Sequence, residues 1–425
     1  MRTDANALAA PSPVHPPHAQ SGRPSPDLVG RAATRALLAS LAGWRGRPLV
    51  VDLPDGSECR VGGEGGAAVR LRVRNWRFFR RALTGGDIGI GESYMDGDWD
   101  CSDLPGLIRA SLENAQVALG RAPWTWGTSL AGQVRRFRHA NTRAGSRRNI
   151  RRHYDLGNAL FELFLDPSLT YSSALFADQT TSLEDAQRAK MDGICRALDL
   201  RPGQHILEIG CGWGAFALHA AREYGCRVVG LTLSEEQLRL ARERTWSAGL
   251  ANRVAFRLCD YRDTCGTYDH LVSIEMLEAV GAERHGAFFR ACNRLLRPGG
   301  RMFLQAITVP DRRFDAYRRS TDFIRTHVFP GGCLTSLGAV GAAVRHTELE
   351  IDSFCDIGPH YATTLAHWRS RFLARLPEVR RLGYDERFIR MWDFYLASCE
   401  AGFTTRTIGN AQIVLRRAKP AAHAA

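Results

Sequence analysis

Leu207-Glu208-Ile209-Gly210-Cys211-Gly212-Trp213-Gly214 sets glycines at every second position, directly behind an apolar run that carries a carboxylate. Glycines so spaced let the chain turn tightly and pass close to a ligand at the mouth of a helix. The dinucleotide spacing Gly-x-Gly-x-x-Gly is absent. Two carboxylates suit an adenosine-bearing ligand instead. Glu208 precedes the first glycine, and Asp260, followed by Tyr261, comes after the third strand of the region, where an adenine amino group is met. The second strand runs into Leu231-Thr232-Leu233-Ser234-Glu235-Glu236-Gln237 and lacks the acidic residue that usually takes ribose hydroxyls. Thr232 and Gln237 are left to supply those bonds, while Ser234 and Gln237 also read as a helix capping box. The pattern points to S-adenosylmethionine and methyl transfer. No His, Cys and Asp cluster has metal-ligand spacing.

The elements that must hold this loop alternate. Strands are expected at His205–Ile209, Arg227–Leu231, Val254–Leu258, His270–Ile274 and Met302–Ile307. Helices are expected at Phe216–Tyr224, Ser234–Gly249 and Ala287–Leu296, the last stopped by Pro298-Gly299-Gly300. Such alternation gives an α/β, Rossmann-like parallel sheet with helices on both faces. Residues 312–336 interrupt the order as an insertion. Long helices follow at Tyr361–Leu376 and Glu386–Ala401, then a strand at Gln412–Leu415. Ahead of this region, residues 27–130 read as a small α+β domain, with a helix at Arg31–Leu41, strands at Leu49–Leu53 and Val69–Val73, and a helix at Trp76–Leu83. The segment Gly89–Trp99 is too rich in glycine for a helix and reads as an ordered turn. Residues 1–26 and 419–425 read as tails. The first is rich in Ala, Pro, Ser and His, carries Asp4, and has no apolar core of a secretory signal.

The chain has 425 residues, 44% of them hydrophobic, enough to bury a core. It has no apolar run of the roughly 20 residues needed to cross a membrane. Its 11 cysteines are odd in number and form no Cys-x-x-Cys pair, which argues against a disulfide scaffold or zinc ribbon and for a reducing cytoplasm. Net charge is +13, carried almost wholly by arginine, with lysine only at 190 and 419. Such a chain is drawn to polyanions. The basic connector 131–152, with Arg135, Arg136, Arg138, Arg143, Arg147, Arg148, Arg151 and Arg152, reads as a solvated helix face or as a patch for lipid phosphates. Nothing beside it suggests nucleic-acid recognition.

Several ordered motifs resemble the family of cyclopropane-fatty-acyl-phospholipid synthases and mycolic acid methyltransferases. They are His153-Tyr154-Asp155-Leu156-Gly157-Asn158, Thr170-Tyr171-Ser172-Ser173-Ala174, the glycine loop, Ser273-Ile274-Glu275-Met276-Leu277-Glu278-Ala279-Val280-Gly281, Phe329-Pro330-Gly331-Gly332, His360-Tyr361-Ala362-Thr363-Thr364-Leu365 and Cys399-Glu400-Ala401-Gly402-Phe403. The resemblance spans residues 27–417. It implies a catalytic domain at 153–418, transfer of a methyl group to a cis double bond of an unsaturated phospholipid chain, and proton loss to close a cyclopropane ring. Other outcomes stay open: a methylene or methyl-branched chain, or a lipid-binding homologue that has lost catalysis. An alkene is a weak nucleophile, so it must be held against the donor. The cation that follows needs a dry site and favours aromatic faces.

In that family the proton is taken by a bound bicarbonate, held by Glu, His and Tyr side chains and by groups at a Cys and an Ile. Glu278, Tyr361 and Ile307 match the Glu, Tyr and Ile. Ser173 stands for the Cys and Gln305 for the His. Cys399 matches a cysteine beside the site, and Tyr171 and Ser172 match positions that close over the cofactor. Tyr317, Phe323 and Phe329, in an acyl-binding insertion at 311–336, suit an acyl channel. The basic charge suits peripheral docking on the anionic inner leaflet, with the small domain and the arginine connector facing the membrane, and a homodimer is a further candidate.

Overall fold

The computed structural model describes residues 28–63, 66–118 and 156–419. The tail 1–26, the basic connector, His153 and Tyr154 lie outside them. Contacts divide the chain into two units: Met1–Ala122 with Ala366–Ser398, and Pro123–Leu365 with Cys399–Ala425.

In the first unit β1 (Leu49–Asp52), β2 (Glu58–Val61), β3 (Val69–Val73) and β4 (Trp99–Cys101) form one sheet in the order β2-β1-β3-β4. Val69, Leu71 and Val73 of β3 are buried while Arg70 and Arg72 between them are exposed, the period-two pattern of a half-covered sheet. The helix expected at Trp76–Leu83 runs much further, Arg77–Met95, so the turn expected at Gly89–Trp99 is in fact helix and then β4. The glycines bend this helix rather than end it. Gly86 kinks it at φ +55, and a Cβ on Gly89 would lie 2.0 Å from the Arg81 carbonyl oxygen. Packing across the kink thus outweighs poor intrinsic propensity. The segment 366–398 joins this unit through buried polar contacts. Tyr94 OH donates to Asp393 at 2.7 Å, Arg369 Nε donates to the other carboxylate oxygen at 2.7 Å, and Arg390 donates to the Trp99 carbonyl at 2.6 Å and to Asp100 at 2.8 Å.

The second unit holds β5 (His205–Ile209), β6 (Arg227–Thr232), β7 (Val254–Leu258), β8 (Tyr268–Ile274), β9 (Leu296–Thr308), β10 (Leu349–Asp356) and β11 (Gly409–Arg417), in the order β10-β11-β9-β8-β5-β6-β7. The five strands from β9 to β7 in that order are parallel, and β11 and β10 add antiparallel at one edge. Both faces are covered. Ile206, Val228, Val272 and Phe303 belong to one buried cluster, while Leu207, Leu231, Leu271 and Met302 belong to the other. Strands buried on both faces read as continuous apolar runs, as these do. The fold is the Rossmann-like sheet of methyltransferases. The Pro298-Gly299-Gly300 stop lies within β9, which begins at Leu296 directly after the helix His285–Leu295. Strand β10 and the helix Leu337–Val344 complete the unit.

The chain runs from β5 outward to β6 and β7, then returns to the far side of β5 as β8. That reversal opens a crevice at the carboxyl ends of β5 and β8, where open α/β sheets take their ligands.

Candidate active site

The glycine loop follows β5 and lies in this crevice. Gly210, Gly212 and Gly214 have φ of +86, +52 and +84, values that favour glycine. A Cβ on Gly210 would lie 2.5 Å from Met276 Cγ, and one on Gly214 2.5 Å from the Phe256 ring. A cavity opens over the loop. Its lining includes Tyr171, Ser172, Glu208, Gly210, Gly212, Trp213, Thr232, Gln237, Asp260 and Tyr261, together with Lys190 and Glu275. Ten of the eleven residues expected to hold the cofactor therefore face one space; Gly214 is the turn residue behind it.

Several of these groups suit S-adenosylmethionine. Glu208 is buried with one carboxylate oxygen unpartnered, and burial pushes its carboxyl well above the usual range. Trp213 is buried against Phe161, ring centres 5.0 Å apart, and donates from Nε1 to Asn158 at 2.8 Å, so its face packs while its edge is fixed. Ser234 caps its helix by accepting from the Gln237 backbone N–H at 3.3 Å. The other half of a capping box is replaced: Gln237 Oε1 accepts from Thr232 Oγ1 at 2.8 Å, joining the two groups expected at the ribose. Asp260 accepts from Arg262 Nε at 2.8 Å and Nη2 at 2.6 Å, so its carboxylate is fixed by an ion pair at the cavity edge.

Three of the six expected catalytic residues, Ser173, Gln305 and Tyr361, gather around a residue that is part of the sequence motif but has no role assigned to it there. Glu275 follows β8, its backbone N–H donating to the Gln305 carbonyl at 2.7 Å. Its φ is +50, unusual for a side chain with a Cβ. Oε1 accepts from Ser173 N–H at 3.0 Å, Gln305 Nε2 at 2.8 Å and Asn410 Nδ2 at 2.6 Å, and Oε2 accepts from Tyr361 OH at 2.7 Å. Each donor is positioned in turn. Gln412, beside Gln305 in the β9–β11 register, donates to Gln305 Oε1 at 3.0 Å and so turns the Gln305 amine toward Glu275. Tyr361 stacks on Phe403 with ring centres 4.5 Å apart, and burial pushes its hydroxyl well above its usual pKa. Ala174 N–H donates to Thr364 at 3.0 Å, tying the Ser173 loop to the helix Gly358–Ala374.

Glu278 stands apart from these donors. Its Oε1 accepts from Ile307 N–H at 2.5 Å and its buried Oε2 has no partner. Burial, then the charge of Glu275, pushes its carboxyl up to about 8, so it keeps its proton at neutrality. Burial also raises the Cys399 thiol, leaving it neutral and unsuited to nucleophilic attack. Lys190 is fully buried, donates to Ser172 Oγ at 2.7 Å, and is lowered to about 8 by burial against the attraction of Glu275, Asp166 and Glu208.

These bonds decide the fit of a bicarbonate. At the positions matched to its holders, Ser173 N–H, Gln305 Nε2 and Tyr361 OH are all directed to Glu275, and Ile307 N–H to Glu278. The chain's own carboxylates occupy the donors, so a bicarbonate does not fit this arrangement. Of the insertion residues, Tyr317 is half-buried with Arg325 5.0 Å from its ring centre and Phe323 is buried beside His327; neither lines the cavity.

Sequence reasoning missed Glu275, Asn410 and Lys190. Glu275 had a signal, an acidic residue immediately behind a buried strand. Lys190 had one too, as one of two lysines in a chain that otherwise uses arginine. Asn410 had none, because its partner is 135 residues away.

The family model for mycolic acid cyclopropane synthetase matches residues 141–413. A relative from Mycobacterium tuberculosis, tuberculostearic acid methyltransferase UfaA1, is 41% identical over 349 residues, covering 80% of this chain and 81% of that one. The cyclopropane-fatty-acyl-phospholipid synthase of Escherichia coli K12 is 37% identical over 383 residues, covering 86% and 95%. Among solved structures, a mycolic acid cyclopropane synthase, CmaA1, complexed with SAH and CTAB, superposes with a TM-score of 0.60 at 32% identity, over 64% of this chain and 98% of that one.

Proposed function

The chain belongs to the mycolic acid cyclopropane synthetase family and is an S-adenosylmethionine-dependent methyltransferase acting on lipid chains; on that premise we propose that it methylates the cis double bond of an unsaturated phospholipid acyl chain and closes a cyclopropane ring. The observation that carries this reading is one cavity lined both by the glycine loop after β5 and by the acidic edge of β8. S-adenosylmethionine supplies a methyl group on a cationic sulfur. Gly210, Gly212 and Gly214 would let it approach the backbone, with Glu208, Thr232, Gln237, Asp260 and Tyr261 offering polar partners and Trp213, Tyr171 and Ser172 enclosing it. The surrounding apolar and aromatic side chains keep water from the cation that methylation leaves on the neighbouring carbon. One C–H bond of the new methyl then breaks, and its electron pair closes the ring.

A second reading has specific support from the 41% identity to a methyltransferase named for tuberculostearic acid. If a hydride first shifts from the methyl-bearing carbon to the neighbouring cationic carbon, the same proton loss gives a methylene group on the open chain, the precursor of a methyl branch. Both products need the same base beside the new methyl. The net charge of +13 supports docking on anionic lipid from the cytoplasmic side, through the small unit and the arginine connector. No helix among the described residues is long and apolar enough to cross a membrane.

The test is incubation of the purified protein with methyl-labelled S-adenosylmethionine and vesicles of dioleoyl phosphatidylglycerol, followed by mass spectrometry of the released chains. One added carbon in the acyl chain is expected, and fragmentation separates ring from methylene. Label that never enters an acyl chain overturns the proposal.

A further inference from the structure

We propose that the Glu275 carboxylate is the base that takes the proton from the transferred methyl group, in the place a bicarbonate holds in the family. The inference rests on the methyl-transfer reading above and adds the group that completes it.

Placement is the first argument. Glu275 sits at the carboxyl edge of β8, across the crevice from the glycine loop, and lines the same cavity, whereas Ser173, Gln305, Tyr361 and Glu278 do not reach its lining. Its partners are the second. Four neutral donors hold its two oxygens, and no ion pair joins it to another described residue. That arrangement aims a carboxylate without cancelling its charge. Backbone conformation is the third. A left-handed φ of +50 at a residue with a Cβ is strained and persists where the surroundings over-determine it. Here the Gln305 carbonyl and the four donors to the Glu275 side chain do so. Glu278 is the alternative acid, but its proton is retained at neutrality and its one bonded oxygen faces the Ile307 backbone.

The step balances without a further reagent. Methylation leaves a cation on the adjacent chain carbon. A C–H bond of the new methyl breaks, its proton passes to a Glu275 oxygen, and the electron pair forms the second ring bond. The protonated carboxyl later returns its proton to water.

Three measurements on the full chain test this. Wild-type label transfer is compared in carbon-dioxide-free buffer and in buffer with added bicarbonate; equal rates are expected. Glu275→Gln, which keeps the shape and removes the base, is expected to lose about 100-fold or more of turnover, the usual scale of general-base catalysis, while still binding S-adenosylmethionine. Glu275→Gly relaxes the backbone and frees the four donors. This variant is expected to bind ¹³C-bicarbonate saturably by NMR, as the wild type does not, and to regain turnover when bicarbonate is added. Saturable binding of bicarbonate to the wild type, a wild-type rate that falls without carbon dioxide, or Glu275→Gln within about threefold of wild type would each overturn the assignment, the last because it falls far short of a general base's contribution. The NMR measurement needs no turnover, so it decides the occupancy of the site even if no lipid acquires label, the result that would instead sink the methyl-transfer reading.

Discussion

Each unit holds a carboxylate that gathers hydrogen bonds from distant parts of the chain, Asp393 buried and Glu275 half-buried, and the two differ in what surrounds them. Asp393, in the first unit, is bound by the Arg369 guanidinium and the Tyr94 hydroxyl, and Arg390 lies 3.9 Å from the Tyr94 ring centre while bonding Asp100 and the Trp99 carbonyl. Charge there is answered by charge. Glu275, in the second unit, is bound by a backbone N–H, two amides and a tyrosine, all neutral. The nearby Lys190 directs its ammonium to Ser172. A compensated pair is scaffold: removing one member strands the other in a place that water does not reach. A carboxylate held only by neutral groups can still accept a proton from a substrate. The same element of construction thus serves architecture in one unit and chemistry in the other.

The contrast can be broken most forcefully at Asp393. Asp393→Asn should cost about 3–5 kcal/mol, the usual loss when one member of a buried ion pair is removed, seen in urea or thermal unfolding, with S-adenosylmethionine affinity of the folded fraction unchanged. Wild-type stability in this variant would show that the ion pair is not scaffold. The same hydroxyl can then be removed from both centres. Tyr361→Phe should slow turnover about tenfold, or about 1.4 kcal/mol of barrier, with little change in melting temperature. Tyr94→Phe should do the reverse, losing about 1 kcal/mol of stability while turnover per folded molecule holds. Equal effects of the two on both measurements would erase the distinction.

A pH-dependent effect is expected at Glu278, raised from 4.5 to about 8. Between those values the unfolded chain has lost this proton while the folded chain keeps it. The carboxyl therefore lowers stability progressively as pH rises through that window, and the loss levels off above it. Glu278→Gln should flatten the stability curve over that range, measured by urea midpoints at several pH values. A slope unchanged from wild type would mean that Glu278 is already ionised in the folded protein.

Much of this was legible in the sequence, for reasons that also explain the gaps. Strands β5, β6 and β8 were found nearly residue for residue because strands buried on both faces write continuous apolar runs. Strand β10 was missed because, past Leu349, its residues are largely exposed and leave no alternation to read. The Arg77–Met95 helix was cut short because glycine signals a break locally, whereas Gly89 is required by the close approach of the Arg81 carbonyl. At the site, the glycine turn and the partners expected for it share one cavity. The pairing of Glu275 with Ser173, 102 residues earlier, and with Asn410, 135 residues later, belongs to the fold rather than to any local pattern. Glu278 drew the catalytic role through its place in the motif, and three residues of displacement along one turn separate it from the carboxylate that the other expected residues surround.

The left-handed backbone at Glu275 has an evolutionary consequence. Glycine is the residue that would rest most easily at φ +50, and in the genetic code glutamate and glycine codons are one nucleotide apart. The mutation that most relieves the main chain is therefore also the one that strips the site of its built-in acid. If Glu275 is the base, a lineage carrying this chain stands one point mutation from dependence on dissolved inorganic carbon, and selection for activity where that carbon is scarce would keep the glutamate in place.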